Sequence, residues 1–403
     1  MISLWFALAF AGPADSAWEL GFTKYAAQDW EGAHAAWVEV QKLEPKRADL
    51  SFWLAASETR ARLAKRPIPK DPAPPANPGK TLKITAVGDV MMGSDLKKGE
   101  AGLAPDNGIE LFADAKAIFE KADIAFVNLE GPLADGLPST KCGPQSTSCY
   151  AFRTPTRYAS TLKAASVDVA SLANNHAWDL GVPGQESTMK ALDAQGIAHA
   201  GRFGDVAILE RNGQKIAFVA AHSGECCLNV NEIAEVQRAI GEADELADIV
   251  VFSFHGGMEG AGARHVPGKT EIAWGERRGD TKALSRAAID AGADLVLSHG
   301  PHVLRAMEVY RDRLIAYSLG NFMGFRQFGT GGGPTGTSLI LEADLAPNGA
   351  LVQAKIHPMA LDKQSIPRTD STGEAIKHIR ELSAADFPET GVKVADDGTL
   401  SWR

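Results

Sequence analysis

Only four cysteines occur in 403 residues, and no two of them have the two-residue spacing of a thiolate zinc cluster. A structural zinc site built from cysteines is therefore excluded. Long apolar runs are also missing. Residues 1–11 form the most conspicuous one, and a membrane span needs roughly 20 residues. No transmembrane anchor is expected. Basic residues are in deficit, 41 Lys and Arg against 50 Asp and Glu, for a net charge of −9. That sign argues against nucleic acid as the main partner, and an anionic substrate has to be drawn by local charge instead of the whole surface.

The run Met1-Ile-Ser-Leu-Trp-Phe-Ala-Leu-Ala-Phe-Ala11 has no lysine or arginine ahead of it and no cysteine after it. The ending Ala9-Phe-Ala11 suits signal cleavage, and the missing cysteine argues against a lipid anchor. Residues 1–17 are accordingly read as a signal region and the protein as secreted or periplasmic. It is cytoplasmic if the run instead packs on the helices that follow. Cys142 and Cys149 bracket the polar stretch Gly-Pro-Gln-Ser-Thr-Ser, a loop that one disulfide can close in an oxidising compartment. Cys226 and Cys227 are vicinal, a strained pair to bridge. They read as free core thiols, or one of them pairs elsewhere.

Composition along the chain divides it. Residues 18–64 place Leu20, Gly21, Trp30, Ala33, Trp37 and Pro45 at the spacings of a tetratricopeptide helical hairpin, with a further helix over 50–63. One such repeat needs a neighbour. It is either a plain helical hairpin with an apolar face or a surface for a protein partner. Residues 65–80 are too rich in proline for helix or sheet and form a linker. Beyond it, apolar runs alternate with helix-like spacing at 110–121, 158–165, 185–195, 231–246 and 281–291, the pattern of a layered α/β domain over 81–362. A hairpin over 208–219 turns at Asn212-Gly213, strands are expected at 338–345 and 351–357, and the glycine run 329–333 reads as a mobile loop. The extension 363–403 shows only a helix near 373–382.

What is present in quantity is a repeated juxtaposition. Six apolar runs end in metal-ligating side chains: 84–89 at Asp89, 124–130 at Glu130, 169–176 at Asn174-Asn175-His176, 249–255 at His255, 295–302 at His299 and His302, and 315–321 at Asn321. Such runs are strands buried on both faces, and active sites of layered α/β folds gather beyond strand ends. Asp89, Glu130, Asn175, His255, His299 and His302 offer carboxylate, amide and imidazole donors, a set suited to Mn, Zn or Fe. Two divalent ions can be served. His176 is then left for proton transfer.

The ordered series Gly88-Asp89-Val-Met-Met-Gly93, Asn128-Leu-Glu130-Gly-Pro132, Asn174-Asn175-His176-Ala-Trp-Asp179-Leu-Gly181, His255-Gly-Gly257-Met-Glu259, His299-Gly-Pro-His302-Val and Tyr317-Ser-Leu-Gly320-Asn321-Phe322 resembles the capsule-synthesis CapA family of poly-γ-glutamate biosynthesis. The resemblance covers residues 81–362. It implies a calcineurin-like metallophosphoesterase fold, a β-sandwich flanked by helices, and a dinuclear site with those six residues as ligands. It also implies His176 as proton donor or acceptor, with Asp179 orienting it. Asn174, Glu259 and Asn321, within the same motifs, are expected to face substrate, and Arg153 to bind a substrate carboxylate or phosphate unless it forms a surface salt bridge. Three positions depart from the pattern: Gly256 replaces an aromatic, Ser94 a basic residue, and Met91 the histidine of phosphoesterases.

Two functions are compatible with these features. One is an extracytoplasmic metal-dependent hydrolase acting on a peptide-like or phosphorylated substrate, or an anionic polymer. The other is a non-catalytic component of a polymer synthesis or export complex, with a structural metal site and a helical docking unit.

Overall fold

The structure, a computed structural model, describes residues 12–69, 80–139, 141–142, 149–326 and 332–402. The apolar run 1–11, linker residues 70–79, the interior 143–148 of the cysteine loop and positions 329–331 of the glycine run lie outside the described residues. Two compact units divide between Pro67 and Ile68. Among the described residues no helix is long and apolar enough to cross a membrane.

The smaller unit holds three helices, Pro13–Ala26, Trp30–Leu43 and Leu50–Ala64. The first begins at Pro13, inside the segment grouped with the signal region, because proline at the first helical position gives up an N–H that has no intrahelical acceptor. The second is capped by Asp29, whose Oδ1 accepts the Gly32 N–H at 2.9 Å. Ala33, Trp37 and Val40 fall on one face and are fully buried. Trp37 sits among the rings of Phe22, Tyr25 and Trp53 at centroid distances of 5.3, 5.6 and 5.4 Å. Gly21 permits this approach, since a Cβ there would lie 2.1 Å from Trp37 Nε1.

The larger unit is a sandwich of two sheets flanked by helices, the α/β architecture expected from the family resemblance. The first sheet runs in the order Pro367–Thr369, Leu351–Leu361, Thr337–Leu345, Leu82–Met91, Ile124–Leu129, Val169–Ser171, Ala198–Ala200, with Asn321–Gly324 also pairing to Leu82–Met91. The second runs Met307–Tyr310, Arg313–Ala316, Leu295–His299, Ile249–His255, Gln214–His222, Ala207–Arg211, with Leu228–Asn229 beside Gln214–His222. The central strands of both are parallel, from Leu82–Met91 to Ala198–Ala200 and from Gln214–His222 to Arg313–Ala316.

Strand periodicity accounts for the layers. Ile84, Ala86, Ile124 and Phe126 of the first sheet meet Ile216, Phe218, Ile249, Val251, Leu295 and Leu297 of the second in one core cluster. Residues of opposite parity in the first sheet, Val87, Ala125 and Val127, pack with Phe112, Ala115, Phe119 and Leu162 from elements on the outer face. Helices Ile233–Asp244 and Thr281–Asp290 cover the second sheet. Burial on both faces explains why these strands read as unbroken apolar runs.

The hairpin forms as expected, Ala207–Arg211 to Gln214–His222, with Asn212 and Gly213 at φ +56° and +77°. The last forty residues are more integrated than an extension. Pro367–Thr369 joins the first sheet, and Ala375, Ile376 and Ile379 of helix Glu374–Asp386 enter the core, as do Val392, Val394 and Leu400. Cys142 and Cys149 are disulfide-bonded, whereas Cys226 and Cys227 are free and buried.

Candidate metal centre

The parallel strands of both sheets bring their C-terminal ends to one place, and register fixes which side chains share it. His222, His255 and His299 lie side by side across the second sheet. Across the first, Asp89 is level with Asn128 and Asn321. The register shifts at Asp89 in both of its pairings, a bulge that re-aims the side chain. Gly88 makes that bend possible: a Cβ there would stand 2.0 Å from Gly320 O, while Asp89 N–H donates to the same carbonyl at 2.9 Å. Gly300, at φ +111°, brings the His299–His302 loop against Gly256, whose carbonyl a Cβ would meet at 2.7 Å.

The chain thus assembles five of the six expected ligands by distance. His299 Nδ1 lies 3.4 Å and His255 Nδ1 3.8 Å from Asp89 Oδ1, and His302 Nδ1 is 3.0 Å from Asp89 Oδ2. Glu130 Oε1 is 3.8 Å from His255 Nε2 and 3.7 Å from His302 Nε2. Glu130, His255 and His302 each offer a ligand atom within 4.8 Å of the others. The sixth, Asn175, directly precedes His176, whose Nε2 is 4.0 Å from Glu130 Oε1.

Polar satisfaction is the test of whether these residues suit a cation. Asp89 Oδ2, both Glu130 oxygens, Asn175 Oδ1, His255 Nε2 and both His299 nitrogens are buried without an aligned hydrogen-bond partner among the described residues. Each such group costs about 1–3 kcal/mol, and carboxylate, amide and imidazole atoms left in this state suit a divalent ion. Charge balance agrees. Burial works to raise the Asp89 carboxyl, but His299, His302 and the charge of His255 outweigh it and hold it well below the usual carboxylate range. Burial and the Asp89 charge push Glu130 well up. Burial opposes a charged His302, yet Glu130 and Asp89 carry it up to about 10. His255 is pushed well down, mainly by burial.

His176 is held differently. Its Nδ1 is 2.7 Å from Asp179 Oδ2, and its ring lies 4.2 Å from that of Phe152. Asp179 in turn accepts the Phe152 N–H at 2.6 Å and pairs with Lys141 Nζ at 2.5 Å. With Nδ1 committed to the carboxylate, Nε2 is the nitrogen turned toward Glu130.

The other expected site residues lie in this region in supporting positions or farther out. Asn174 donates to Asn128 Oδ1 at 3.2 Å and to Leu129 O at 2.9 Å, and its Oδ1 accepts the His176 N–H at 3.1 Å. Asn321 Oδ1 lies 2.9 Å from His302 Nδ1. Glu259 accepts from Arg278 Nη2 at 2.7 Å and Trp274 Nε1 at 3.1 Å. Arg153 is engaged by Asp95 Oδ1 at 2.7 Å and Leu137 O at 2.5 Å, the salt-bridge alternative. Met91 turns its sulfur to the Gly93 N–H at 3.1 Å. Residues not singled out from sequence also matter. Asn128 donates to Asp89 Oδ1 at 2.8 Å and links it to Asn174. His222, paired through Nδ1 with His255 O at 3.0 Å, ends an apolar strand just as His255 does, a signal hidden by reading that strand only to residue 219. Lys141 gave no signal, because its role depends on a loop folding back over Asp179.

The family described as "Bacterial capsule synthesis protein PGA_cap" matches residues 83–325, more than half of the chain. The chain is 28% identical over 291 residues to "Capsule biosynthesis protein CapA" of Bacillus anthracis, covering 67% of this chain and 66% of that protein, slightly under two thirds of its length. It is 29% identical over 286 residues to "PGA biosynthesis protein CapA" of Bacillus subtilis (strain 168), covering 66% and 69% respectively. Among solved structures, a 5'-nucleotidase precursor from Thermus thermophilus aligns with a TM-score of 0.38 at 12% identity, over 77% of this chain and 59% of that one. The chain, with Asp89, Glu130, His255, His299 and His302 inside the matched segment, belongs to the bacterial capsule synthesis family PGA_cap.

Proposed function

We propose that this protein is a metal-dependent, hydrolase-type enzyme of capsule or poly-γ-glutamate synthesis, acting outside the cytoplasm on a peptide-like or phosphorylated substrate. The observation that carries the reading is that buried ligand-type atoms of Asp89, Glu130, His255 and His299, without hydrogen-bond partners among the described residues, lie within a few ångströms of one another beside an oriented histidine. Asp89, Glu130, Asn175, His255, His299 and His302 are the proposed ligands of two ions, Mn, Zn or Fe. When bound, such ions supply Lewis acidity toward a phosphoryl or carbonyl oxygen and make water acidic near neutral pH.

The chain's own residues do the rest. Asp179 fixes the His176 ring through Nδ1, so that Nε2 exchanges the proton with the reacting group. Phe152 packs on that ring and anchors Asp179 through its backbone N–H. Asn174 braces the His176 backbone, and Asn321 holds His302 by its Nδ1, so both act on orientation first and face substrate second. Glu259 and Arg153 complete the proposed surround. Residues 18–64 are the proposed docking unit for a protein partner, and residues 1–17 the signal region.

The reading is tested by screening phosphoesters, γ-glutamyl peptides and cell-wall peptides with Mn or Zn added. The His176→Ala variant should keep its metal and fold while turnover falls on the order of 10² to 10⁴-fold. An undiminished rate in that variant removes the catalytic role. A second reading rests on Met91, whose sulfur is committed to Gly93: one ion then loses a nitrogen ligand and the centre is structural. Metal-loaded protein inert toward every substrate class, in cells where His176→Ala still supports polymer assembly, favours that reading.

A further inference from the structure

The segment after His255 holds a buried cation that no proposed step yet uses. Arg278 is 3% exposed. Its backbone sits against the metal site: Arg278 O accepts the Gly257 N–H at 2.8 Å, two residues beyond His255, and a Cβ on Gly256 would lie 2.8 Å from the same oxygen. On the other side, Arg278 N–H donates to Glu271 O at 2.9 Å. Glu271 is itself locked by Arg305, through Nη1 at 2.9 Å and Nη2 at 2.7 Å. The main chain carrying Arg278 is therefore pinned on both sides.

The guanidinium is oriented but incompletely used. Nη2 donates to Glu259 Oε1 at 2.7 Å, and the other Glu259 oxygen accepts from Trp274 Nε1. Nε stands 3.1 Å from Glu276 Oε2 without hydrogen-bond alignment, and Nη1 is buried with no partner among the described residues. A guanidinium cannot shed its proton to relieve such a site. The cluster is close enough to the ligands for charge to be felt: Arg278 helps to push both His255 and His222 down, and Glu259 helps to raise Glu130 and His302.

We propose that Arg278 is a substrate-binding residue of the metal centre, taking an oxyanion of the substrate, phosphate or carboxylate, through Nη1, with Glu259 as the residue that positions it. The inference rests on the reading of the centre as a substrate site, and it reassigns the anion contact from Arg153, which is already engaged by Asp95. Arginine suits the task because its planar fork matches both carboxylate and phosphate. The exposed Trp274 is held by the same carboxylate.

The test is binding, so it does not depend on turnover. Mn-loaded protein is titrated with inorganic phosphate and, separately, with acetate, by calorimetry. Arg278→Gln should retain metal content and weaken the preferred anion on the order of 10 to 100-fold, the effect of losing a charged hydrogen bond. Preference for phosphate assigns a phosphorylated substrate, and preference for acetate a carboxylate-bearing one. If Arg278→Gln does not fold, Arg278→Lys serves, since it keeps the charge but not the fork; it should melt like wild type and still bind several-fold more weakly. Unchanged anion affinity in a folded variant, or wild-type protein that holds metal and binds neither anion, overturns the assignment. Loss of metal in wild type would instead count against the underlying reading of the centre.

Discussion

Asn128 makes the claim that the first sheet tunes the metal centre open to a quantitative trial. Its Nδ2 donates to Asp89 Oδ1 at 2.8 Å and its Oδ1 accepts from Asn174 at 3.2 Å, so Asn128→Ala deletes one charge-assisted and one neutral hydrogen bond. Those contribute about 1.5–3 and about 1 kcal/mol. The residue is 1% exposed, so water cannot replace the lost partners without entering the core. A loss of about 3 kcal/mol in stability follows for the metal-free protein. Asp89 would also lose the contact that fixes its orientation, and loss of such outer partners lowers metal affinity about 10 to 100-fold. Urea unfolding of chelator-treated protein measures the first quantity, and titration of that protein with Mn the second. A variant with wild-type metal affinity would refute the orienting role, even if its stability fell.

The C-terminal segment should be acid-sensitive through Glu308. That fully buried carboxylate accepts from Arg286 at 3.1 and 2.8 Å, Tyr317 at 2.5 Å and Thr390 at 2.6 Å. Burial works to raise its pKa, but these donors outweigh it and leave the folded value below the ordinary 4.5. A depressed folded value stabilises the fold above the unfolded value, and the contribution fades as pH falls through the lower one. Wild type should therefore lose stability below about pH 4.5 more steeply than Glu308→Gln, as read by thermal melts across pH; parallel curves would contradict it. At neutral pH Glu308→Ala should cost about 3 kcal/mol, because Arg286 is left without its carboxylate.

Much of this arrangement was legible in the sequence because strands buried on both faces must be apolar until they leave the core. The end of each run therefore marks the sheet edge, and Asp89, Glu130, Asn175, His255, His299 and His302 all stand there. The helices were legible from their apolar spacing, with ends displaced by a few residues: 231–246 is observed as Ile233–Asp244 and 185–195 as Gly181–Asp193. Short elements were not. Met307–Tyr310 and Pro367–Thr369 are too brief for any period to show and exist because neighbouring strands offer an edge. Arg278 was invisible for a related reason. Its burial follows from the fold-back of 256–280, held through Glu271 by a long-range ion pair with Arg305 that no local pattern announces. Arg153, in a conspicuous Phe-Arg-Thr-Pro context, is taken by Asp95, a partner distant in sequence that only the fold brings beside it.

The account stands most directly on the metal content of the protein itself. Protein purified without chelator and analysed by inductively coupled plasma mass spectrometry should carry Mn, Zn or Fe, up to two ions per chain. His255→Ala and Asp89→Ala should each lose bound ion while retaining the wild-type circular dichroism spectrum, since His255 ends its strand and Asp89 sits at a bulge two residues before the end of its own. Unchanged metal content in both folded variants, or wild-type protein that takes up no divalent ion on titration, would contradict it.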